Sequence, residues 1–447
     1  MAGEIEARVV EWTARGIADA ASRAIAEGAY AEGEKLPTIR QLAKSLGVAT
    51  NTVASAWTML ARAGIVHSDR RRGTTVSCHP RFGPERTRRT LVNAIRFGLD
   101  LSTGLPDADL LPDLRRTLGR LESSLLPRTY LDEPVIPELL ELIGEDWPFP
   151  AEVLTIVDGV FDALDLVVST KLRFGDRVAV ERVTDPNILD LLEVAGVRLV
   201  PLDLDEQGVA PDSLERAIAD GARWAFLQPR AQQPTGATWS TKRADNLAAV
   251  LKRHRDVAVL EIDLTGPVAT GALPSLGTRV QSRVLHVRTY SASHGPELRI
   301  AALGGAGELM DDLVERRYLG QGWTSRILQG ILLDFLHDRD TRARVDEARE
   351  EYSRRRARFV AELAERDLAS DGDEGLLVRV PVPNEATALI ALASRDIGVA
   401  PGTPGTVDPR DSSHIIVTSA RLPQHRAAEV AEAIHQTVRT RRVRRVR

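Results

Sequence analysis

Lysine is the side chain whose placement decides most about covalent chemistry in this sequence, because it is rare. The 447 residues include 54 arginines but only five lysines, which are Lys35, Lys44, Lys171, Lys242 and Lys252. A lysine amine can form a Schiff base with a carbonyl compound, and the permanently charged arginine side chain cannot replace it. No lysine follows Lys252, so the C-terminal part of the chain cannot supply such an amine.

The sequence also lacks the other familiar residue sets for catalysis or metal binding. Its nine histidines show no HExxH spacing, its serines no nucleophile elbow, and its glycines no Walker-type phosphate loop. The single cysteine, Cys78, excludes an internal disulfide framework and a Cys-rich zinc site. The acidic segment 203–206 lacks the glycine and the closing glutamate of an EF-hand. These absences predict that the protein is not an enzyme and holds no metal.

Basic side chains near both ends of the chain indicate binding to a polyanion instead. Residues 1–90 carry a net charge of +5, and residues 438–447 contain six arginines and no acid, whereas the residues between carry −15. One dense cluster, Arg70, Arg71, Arg72 and Gly73, has the composition of an exposed basic turn. On charge alone, an ordinary local excess of surface charge explains the pattern equally well.

The elements around that cluster predict a winged helix. Residues 11–28 have apolar side chains at helical spacing, and two shorter helices follow, the first capped by Thr38 and ended by Gly47, the second capped by Thr50. Two helices joined by a tight turn form a helix-turn-helix. The segment 65–77 then alternates like a β-hairpin with the basic cluster at its tip. The alternative is a helical bundle with a solvated charged loop.

Composition excludes several other classes of protein. Hydrophobic residues make up 43% and charged residues 27%, which is typical of a globular chain of two or three domains. No apolar run approaches the roughly 20 residues that span a bilayer, and the acidic N-terminus does not resemble a signal peptide. We therefore expect a cytoplasmic protein that does not enter a membrane.

Beyond a Pro- and Arg-rich connector over residues 79–96, the chain alternates short apolar runs with helical stretches. This alternation predicts an α/β domain with a mostly parallel sheet, followed by a long charged helix and a smaller αβ unit. Arginines 81, 86, 88 and 89 of the connector either contact DNA phosphates or are simply solvated. The Arg-rich tail at 438–447 either contacts DNA or is disordered.

The segment GEKLPTIRQLAKSLGVATNTVASAWTMLARAGIV, followed by RRRGTTV, resembles the GntR-type winged helix over about 65 residues. The resemblance implies that Arg40 contacts the DNA backbone or a base edge near it. It implies that Thr50, Asn51 and Thr52 begin the recognition helix in the major groove and that Gly73 lets the wing tip approach the minor groove. Relatives usually carry arginine at the position of Thr50, and arginine reads guanine through two hydrogen bonds. The operator is therefore expected to differ from those of relatives.

The body resembles fold-type I aminotransferases through FGLDLSTGLPDADLLP, RFGDRVAVE, QPRAQQPTGATWS and SASHGPELRI. Together the two resemblances identify the chain as a member of the MocR subfamily of GntR regulators. They imply a winged helix at 1–78, a linker at 79–96 and an aminotransferase-like domain at 97–437, followed by the basic tail. Within that domain, a large part covers about 97–335 and a small part about 336–437. Relatives usually bind pyridoxal 5′-phosphate and form head-to-tail dimers.

The resemblance assigns six positions of this chain to the cofactor cleft, and most of them carry the wrong side chain. They are Asp158, Asp185, Gln233, Ile262, Ala292 and Arg299. Ala292 stands where the Schiff-base lysine is expected, and its methyl group cannot form an imine. Ile262 stands at the acid that pairs with the pyridinium, although a shift of one residue would place Asp263 there.

The remaining assigned positions also depart from the family pattern. Asp158 would repel a phosphate, Asp185 replaces the stacking aromatic residue, and Gln233 replaces an asparagine. The arginine that holds a substrate carboxylate maps near Ile416. Only Arg299, at the phosphate-binding arginine, is retained, and we expect it to form a buried ion pair with Asp158 or another carboxylate.

These residues predict a transcriptional regulator that binds double-stranded operator DNA as a homodimer, without a pyridoxal cofactor. One alternative is a regulator that senses a different small metabolite in the vestigial cleft. Two others are a ligand-free scaffold that pairs with other regulators and a residual pyridoxal-dependent transaminase.

Overall fold

A computed structural model of the chain describes most of the head and nearly all of the body. The described residues are 3–31, 33–62, 65–69, 73–76, 86, 97–120, 129, 133–408 and 413–439. In these ranges, no helix has the length and apolar character needed to cross a bilayer.

The head is a winged helix-turn-helix, as the sequence predicted. Its elements are α1 (Ala14–Ala26), α2 (Ile39–Leu46), α3 (Thr50–Arg62), β1 (Val66–Asp69) and β2 (Gly73–Val76). The side chain of Thr38 caps α2 in a capping box with Gln41, and Gly47 ends that helix in the left-handed region at φ 67°. Strands β1 and β2 pair antiparallel. Thr50 is the first helical residue of α3 and not the residue before the helix, so its predicted capping role is wrong.

The body is an α/β structure in two parts, and its element bounds are as follows. The strands are β3 (Leu99–Leu101), β4 (Val153–Val157), β5 (Arg177–Glu181), β6 (Arg198–Leu202), β7 (Leu204–Asp205), β8 (Gly208–Val209), β9 (Trp224–Leu227), β10 (Ala258–Asp263), β11 (Val284–Thr289), β12 (Ala301–Gly305), β13 (Leu377–Pro381), β14 (Ile397–Pro401) and β15 (His414–Thr418). The helices are α4 (Leu114–Leu118), α5 (Pro137–Glu145), α6 (Val160–Lys171), α7 (Pro186–Val194), α8 (Pro211–Ala219), α9 (Thr241–Arg253), α10 (Gly277–Val280), α11 (Ser291–His294), α12 (Gly307–Tyr318), α13 (Arg326–His337), α14 (Arg339–Ala364), α15 (Glu385–Ala393) and α16 (Ala427–Arg439).

The large part is built on a seven-stranded sheet in the order β4-β12-β11-β10-β9-β5-β6. Only β12 runs against its neighbours. Apolar clusters cover both faces of the sheet, with α6 and α7 contributing to one and α8 and α9 to the other. Strands buried on both faces explain the continuous apolar runs in the sequence.

The small part has a four-stranded sheet in the order β13-β15-β14-β3. Strand β3 pairs parallel with β14, so residues 99–101 belong to the small sheet. The predicted division, which placed everything from 97 to about 335 in the large part, is wrong for this strand. A three-residue strand shows no periodicity that would reveal its distant partner.

Helix α15 joins the head to the body. Its sequence EATALIALA has almost no polar face, and a helix of that kind must be covered on all sides. Ala388, Leu389 and Leu392 pack into the core of the small part. Ile390 is fully buried in the head core, and α1 and α3 both pack against α15.

Candidate functional site

The exposed surface of the head contains the residues expected to meet DNA. Arg40 on α2 is exposed, and Thr50 and Asn51 are exposed at the first turn of α3, with Thr52 half-buried beside them. The opposite side of α3 is held by buried Val53 and other apolar residues of the head core. The first turn of α3 therefore faces solvent on a fixed support.

The wing is only partly described. Gly73 begins β2 with φ 85°, in the left-handed region that glycine adopts readily. Arg70, Arg71 and Arg72 lie outside the described residues. Lys35 was missed by the sequence reasoning: it is exposed, and it forms an isolated β-bridge with Thr75 of the wing. Its position just before the Leu-Pro-Thr start signal of α2 was the clue.

A cleft between the large and small parts contains a cavity of about 460 Å³. The large part contributes Phe161, Thr184, Asp185, Pro186, Asn187, Gln233, Pro234 and Arg299, and the small part contributes residues 102–105, Leu377, residues 400–402, Gly405, Ile416 and Thr418. Three of the six assigned positions, Asp185, Gln233 and Arg299, thus meet in one cavity, as does Ile416. Asp158, Ile262 and Ala292 do not line it.

Ala292 lies on the short helix α11 and is buried against Val268, Tyr352 and Leu376. Ile262 is buried in the apolar cluster beneath α6. Both side chains are therefore parts of packed cores.

Asp263 lies on the other face of the sheet from Ile262, because successive side chains of a strand alternate. It is fully buried and pairs with Arg230, with 2.7 Å between Nη2 and Oδ2. Burial opposes ionisation of Asp263, but the adjacent Arg230 guanidinium holds its pKa at about 2. The alternative that Asp263 replaces Ile262 in the cleft is wrong.

The expected buried ion pair between Arg299 and Asp158 does not form. Arg299 is exposed, and within the described residues its guanidinium makes no ion pair. Among the described residues, the cation that pairs with Asp158 is Arg317, at 3.8 Å between Nη2 and Oδ2. Burial raises the pKa of Asp158. Arg299 has a left-handed backbone, φ 50°, and its guanidinium carbon lies beside the Gly159 turn, 3.8 Å from the position that a Cβ on Gly159 would take.

Behind the cleft wall lies a buried amide and carboxylate network. Glu181 accepts hydrogen bonds from the backbone and side-chain nitrogens of Gln228, at 3.0 and 2.9 Å, and from Gln232 at 2.9 Å. Burial raises the pKa of Glu181 to about 7. Gln228 in turn accepts from the backbone of Gln233, which lines the cavity. Asp185 caps α7 by accepting from the backbone of Asn187 at 2.8 Å.

Arg86, the one described residue of the connector, contacts the body. It forms an ion pair with Glu193 of α7 at 2.6 Å. The sequence analysis considered two positions for Arg86, a contact with DNA phosphates and simple solvation. The structure shows a third, in which Arg86 pairs with an acid of the body. Arginines 81, 88 and 89 lie outside the described residues, as does the tail beyond residue 439. In the described ranges, no three His, Cys, Asp or Glu side chains group as a metal site.

Two family models match the chain. The model for bacterial regulatory proteins of the gntR family matches residues 13–76. The model for aminotransferases of class I and II matches residues 98–434.

Two curated relatives are named as transcriptional regulators. The vitamin B6 salvage pathway transcriptional repressor PtsJ of Salmonella typhimurium is 31% identical over 386 residues, covering 84% of this chain and 87% of PtsJ. The pyridoxine biosynthesis transcriptional regulator PdxR of Corynebacterium glutamicum is 25% identical, covering 75% of each chain.

Solved structures share the fold of the body. Kynurenine aminotransferase of Pyrococcus horikoshii superposes with a TM-score of 0.72 at 19% identity, covering 81% of this chain and 96% of the enzyme. A mutant of the aspartate aminotransferase of Thermus thermophilus gives a TM-score of 0.66 at 21% identity, covering 79% and 95%. At this identity the similarity shows the fold alone.

Proposed function

This chain belongs to the MocR-type regulators, which join a gntR-family DNA-binding head to a class I and II aminotransferase domain, and from that membership we propose that it regulates transcription as a homodimer bound to operator DNA. The boundaries proposed for this arrangement are 1–78 for the head, 79–96 for the linker, 97–437 for the body and 438–447 for the tail.

The observation that carries the proposal is the exposed first turn of α3 on a rigidly packed head. Side chains at the start of a recognition helix reach base edges, and basic groups around them fix the head on the phosphates. We assign base contacts to Thr50, Asn51 and Thr52. Phosphate or groove contacts are assigned to Arg40, to Arg70, Arg71 and Arg72, and to Gly73 at the wing.

Selection from a randomised duplex library tests this function. The purified full-length chain should enrich a two-fold symmetric sequence whose half-sites lie whole helical turns apart, about 34–36 Å per turn. An Asn51→Ala variant should enrich a different or shorter sequence, because a base contact is removed. Failure of the wild-type chain to enrich any sequence would refute the proposal.

Support for a homodimer comes from apolar side chains left exposed on the body. Leu114 and Leu118 of α4 are 42% and 52% exposed, and Ile327 of α13, which packs against α4, is 49% exposed. Apolar side chains exposed on two helices that pack together are a feature of many protein interfaces. Light scattering after size-exclusion chromatography should give twice the chain mass, and Leu118→Asp should give a monomer.

Three positions that the resemblance assigns to the cofactor carry side chains that do not fit pyridoxal phosphate, and we propose that the chain performs no pyridoxal chemistry. Ala292 offers no amine, Ile262 offers no acid, and Asp158 places a carboxylate beside the Gly159 turn where a phosphate would bind. Mixing the protein with pyridoxal phosphate should produce no aldimine absorbance above that of a lysine-matched control protein. Absorbance that disappears on borohydride reduction and maps to one lysine would contradict this.

The cavity supports a second candidate function, the sensing of another small molecule. Its volume of about 460 Å³ lies in the range of small-molecule pockets, whose walls are mostly apolar with a few polar groups. Asp185 and Arg299 provide one acidic and one basic group in such a wall. A metabolite screen by thermal shift tests this candidate, since a ligand selective for the folded state raises the melting temperature.

A further inference from the structure

The loop Gly402–Thr406, which follows β14, lies where the cavity, the head-bearing helix and the connector come together. Gly402 and Gly405 line the cavity. The first half of the loop contacts α15, the helix that packs against the head. The second half contacts Arg86 of the connector, the segment that follows the head in the sequence.

Glu385 holds the first half of the loop. Its Oε2 accepts hydrogen bonds from the backbone nitrogens of Gly402 and Thr403, at 2.8 and 2.7 Å, and from the Thr403 hydroxyl at 2.9 Å. Glu385 is the first residue of α15, the helix whose Ile390 is buried in the head core. A shift of the loop therefore acts on the helix that supports the head.

Arg86 holds the second half of the loop. Its Nη1 donates to the carbonyl oxygens of Pro404 and Thr406, at 3.1 and 2.6 Å. The same guanidinium pairs with Glu193, and the Arg86 backbone nitrogen donates to Asp190 at 2.9 Å. Both acids lie on α7, whose first residues line the cavity. Charge-assisted hydrogen bonds at these distances are among the stronger contacts in proteins.

The loop has little room to move within the cleft wall. Gly405 accepts from the Thr184 backbone nitrogen at 2.8 Å, and a Cβ on Gly405 would overlap the Thr184 carbonyl oxygen. A Cβ on Gly402 would overlap His414, which is fully buried. Since packed walls transmit displacement instead of absorbing it, an occupant that pushes on the loop must strain its contacts with Glu385 and Arg86.

We propose that the loop Gly402–Thr406 couples the cleft to the head, so that displacing the loop loosens the docking of α1 and α3 on α15. This inference rests on the proposed sensing function of the cavity. It specifies how a small molecule bound in the cavity would change the position of the DNA-binding head. It requires no covalent step.

Hydrogen exchange of the full-length chain, followed by mass spectrometry, tests the coupling without a known ligand. Gly405→Ala displaces the loop, and Arg86→Ala removes its contact with the connector. The matched controls are Gly144→Ala, where a Cβ meets nothing within 4 Å, and Arg253→Ala, which breaks a 2.8 Å ion pair with Glu215 far from the loop.

Both loop variants should raise exchange in peptides covering α1 and α15 by about fivefold or more, while β10 peptides stay unchanged. The two controls should match the wild type in all of these peptides. If a folded Arg86→Ala protein exchanged hydrogen in α1 and α15 at the wild-type rates, the proposal would be overturned. If Gly405→Ala does not fold, the result for Arg86→Ala decides the question by itself. The selection of DNA sequences is a separate experiment. If the chain bound no DNA, the proposed function would be refuted, whereas the coupling between the loop and the head would still be decided by hydrogen exchange.

Discussion

The head and the cleft differ in how many distant residues their chemistry requires. The head presents Arg40, Thr50 and Asn51 from two consecutive helices, and their exposure follows from one local amphipathic pattern. The cleft collects side chains from separate strands and from both parts of the body. A surface built from neighbouring residues depends on one short stretch of chain, whereas Schiff-base chemistry requires an amine at one particular position.

The largest expected effect is the unfolding of the head by one substitution in its core while the body stays folded. Trp57 is 2% exposed in the head core, and Trp57→Ala should destabilise the head by about 3–5 kcal/mol. DNA binding should be abolished while the unfolding transition of the body remains, as followed by calorimetry. Trp12→Ala, at a tryptophan that is 58% exposed, is the control and should retain both. Simultaneous loss of the body transition would show that the two regions are not independent.

A similar effect in the opposite region is expected at Arg230. Arg230→Ala removes the closer of two cations beside the buried Asp263 carboxylate and leaves Arg288 at 3.9 Å. Breaking a buried pair typically costs about 3–5 kcal/mol. The body should melt earlier while the DNA affinity of the still-folded protein stays unchanged, as measured by denaturation and gel shift. Arg253→Ala removes an exposed pair and should change neither quantity. An unchanged melting temperature for Arg230→Ala would contradict the importance of this pair.

Acid should remove a stabilising contribution that His294 makes to the body, opposite in sign to that of Glu181, whose raised pKa stabilises the folded state as the pH falls below about 7. Burial against Phe335 lowers the pKa of His294 from 6.5 to about 4, so the unfolded chain binds a proton that the folded body does not. The stabilisation of the folded body by neutral His294 amounts to about 3 kcal/mol. It is fully present above about pH 6.5 and is lost as the pH falls toward 4. The only histidine of residues 1–78, His67, is exposed.

Urea unfolding at several pH values measures this difference. His294→Gln should flatten the pH dependence of the free energy of unfolding of the body, and the head transition should keep its own dependence. An unchanged slope in the body would show that other groups dominate its acid response.

The smallest effect concerns a single DNA contact. Arg40→Ala should weaken operator binding by about 1 kcal/mol and lower the slope of log affinity against log salt by about one. The circular dichroism of the head should not change, since Arg40 is exposed. Gel-shift titrations at several salt concentrations measure both quantities, with Arg253→Ala as control. Wild-type affinity and slope in Arg40→Ala would remove this residue from the interface.

Much of the head could be predicted because its determinants are close together in the chain. The capping box joins Thr38 to Gln41, three residues away, and Gly47 ends the same helix through its own backbone conformation. The body fold was accessible through the resemblance and through its alternating apolar runs. The segment SASHGPELRI likewise allowed the sequence to place Ala292 at the position where the resemblance expects a lysine.

The arrangement around the cleft was decided by contacts between distant residues. Arg86 meets Thr406 across 320 positions, β3 meets β14 across about 300, and Ile390 completes the core of a head that ends more than 300 residues earlier. The side chain of Arg299 is exposed and does not reach Asp158, although both belong to the same predicted subsite. The sequence by itself determined residue types, caps and local periodicity, because these act within a few residues. Only the tertiary structure decided which charge pairs with which, since an arginine satisfies its donors with whatever acceptors packing brings near.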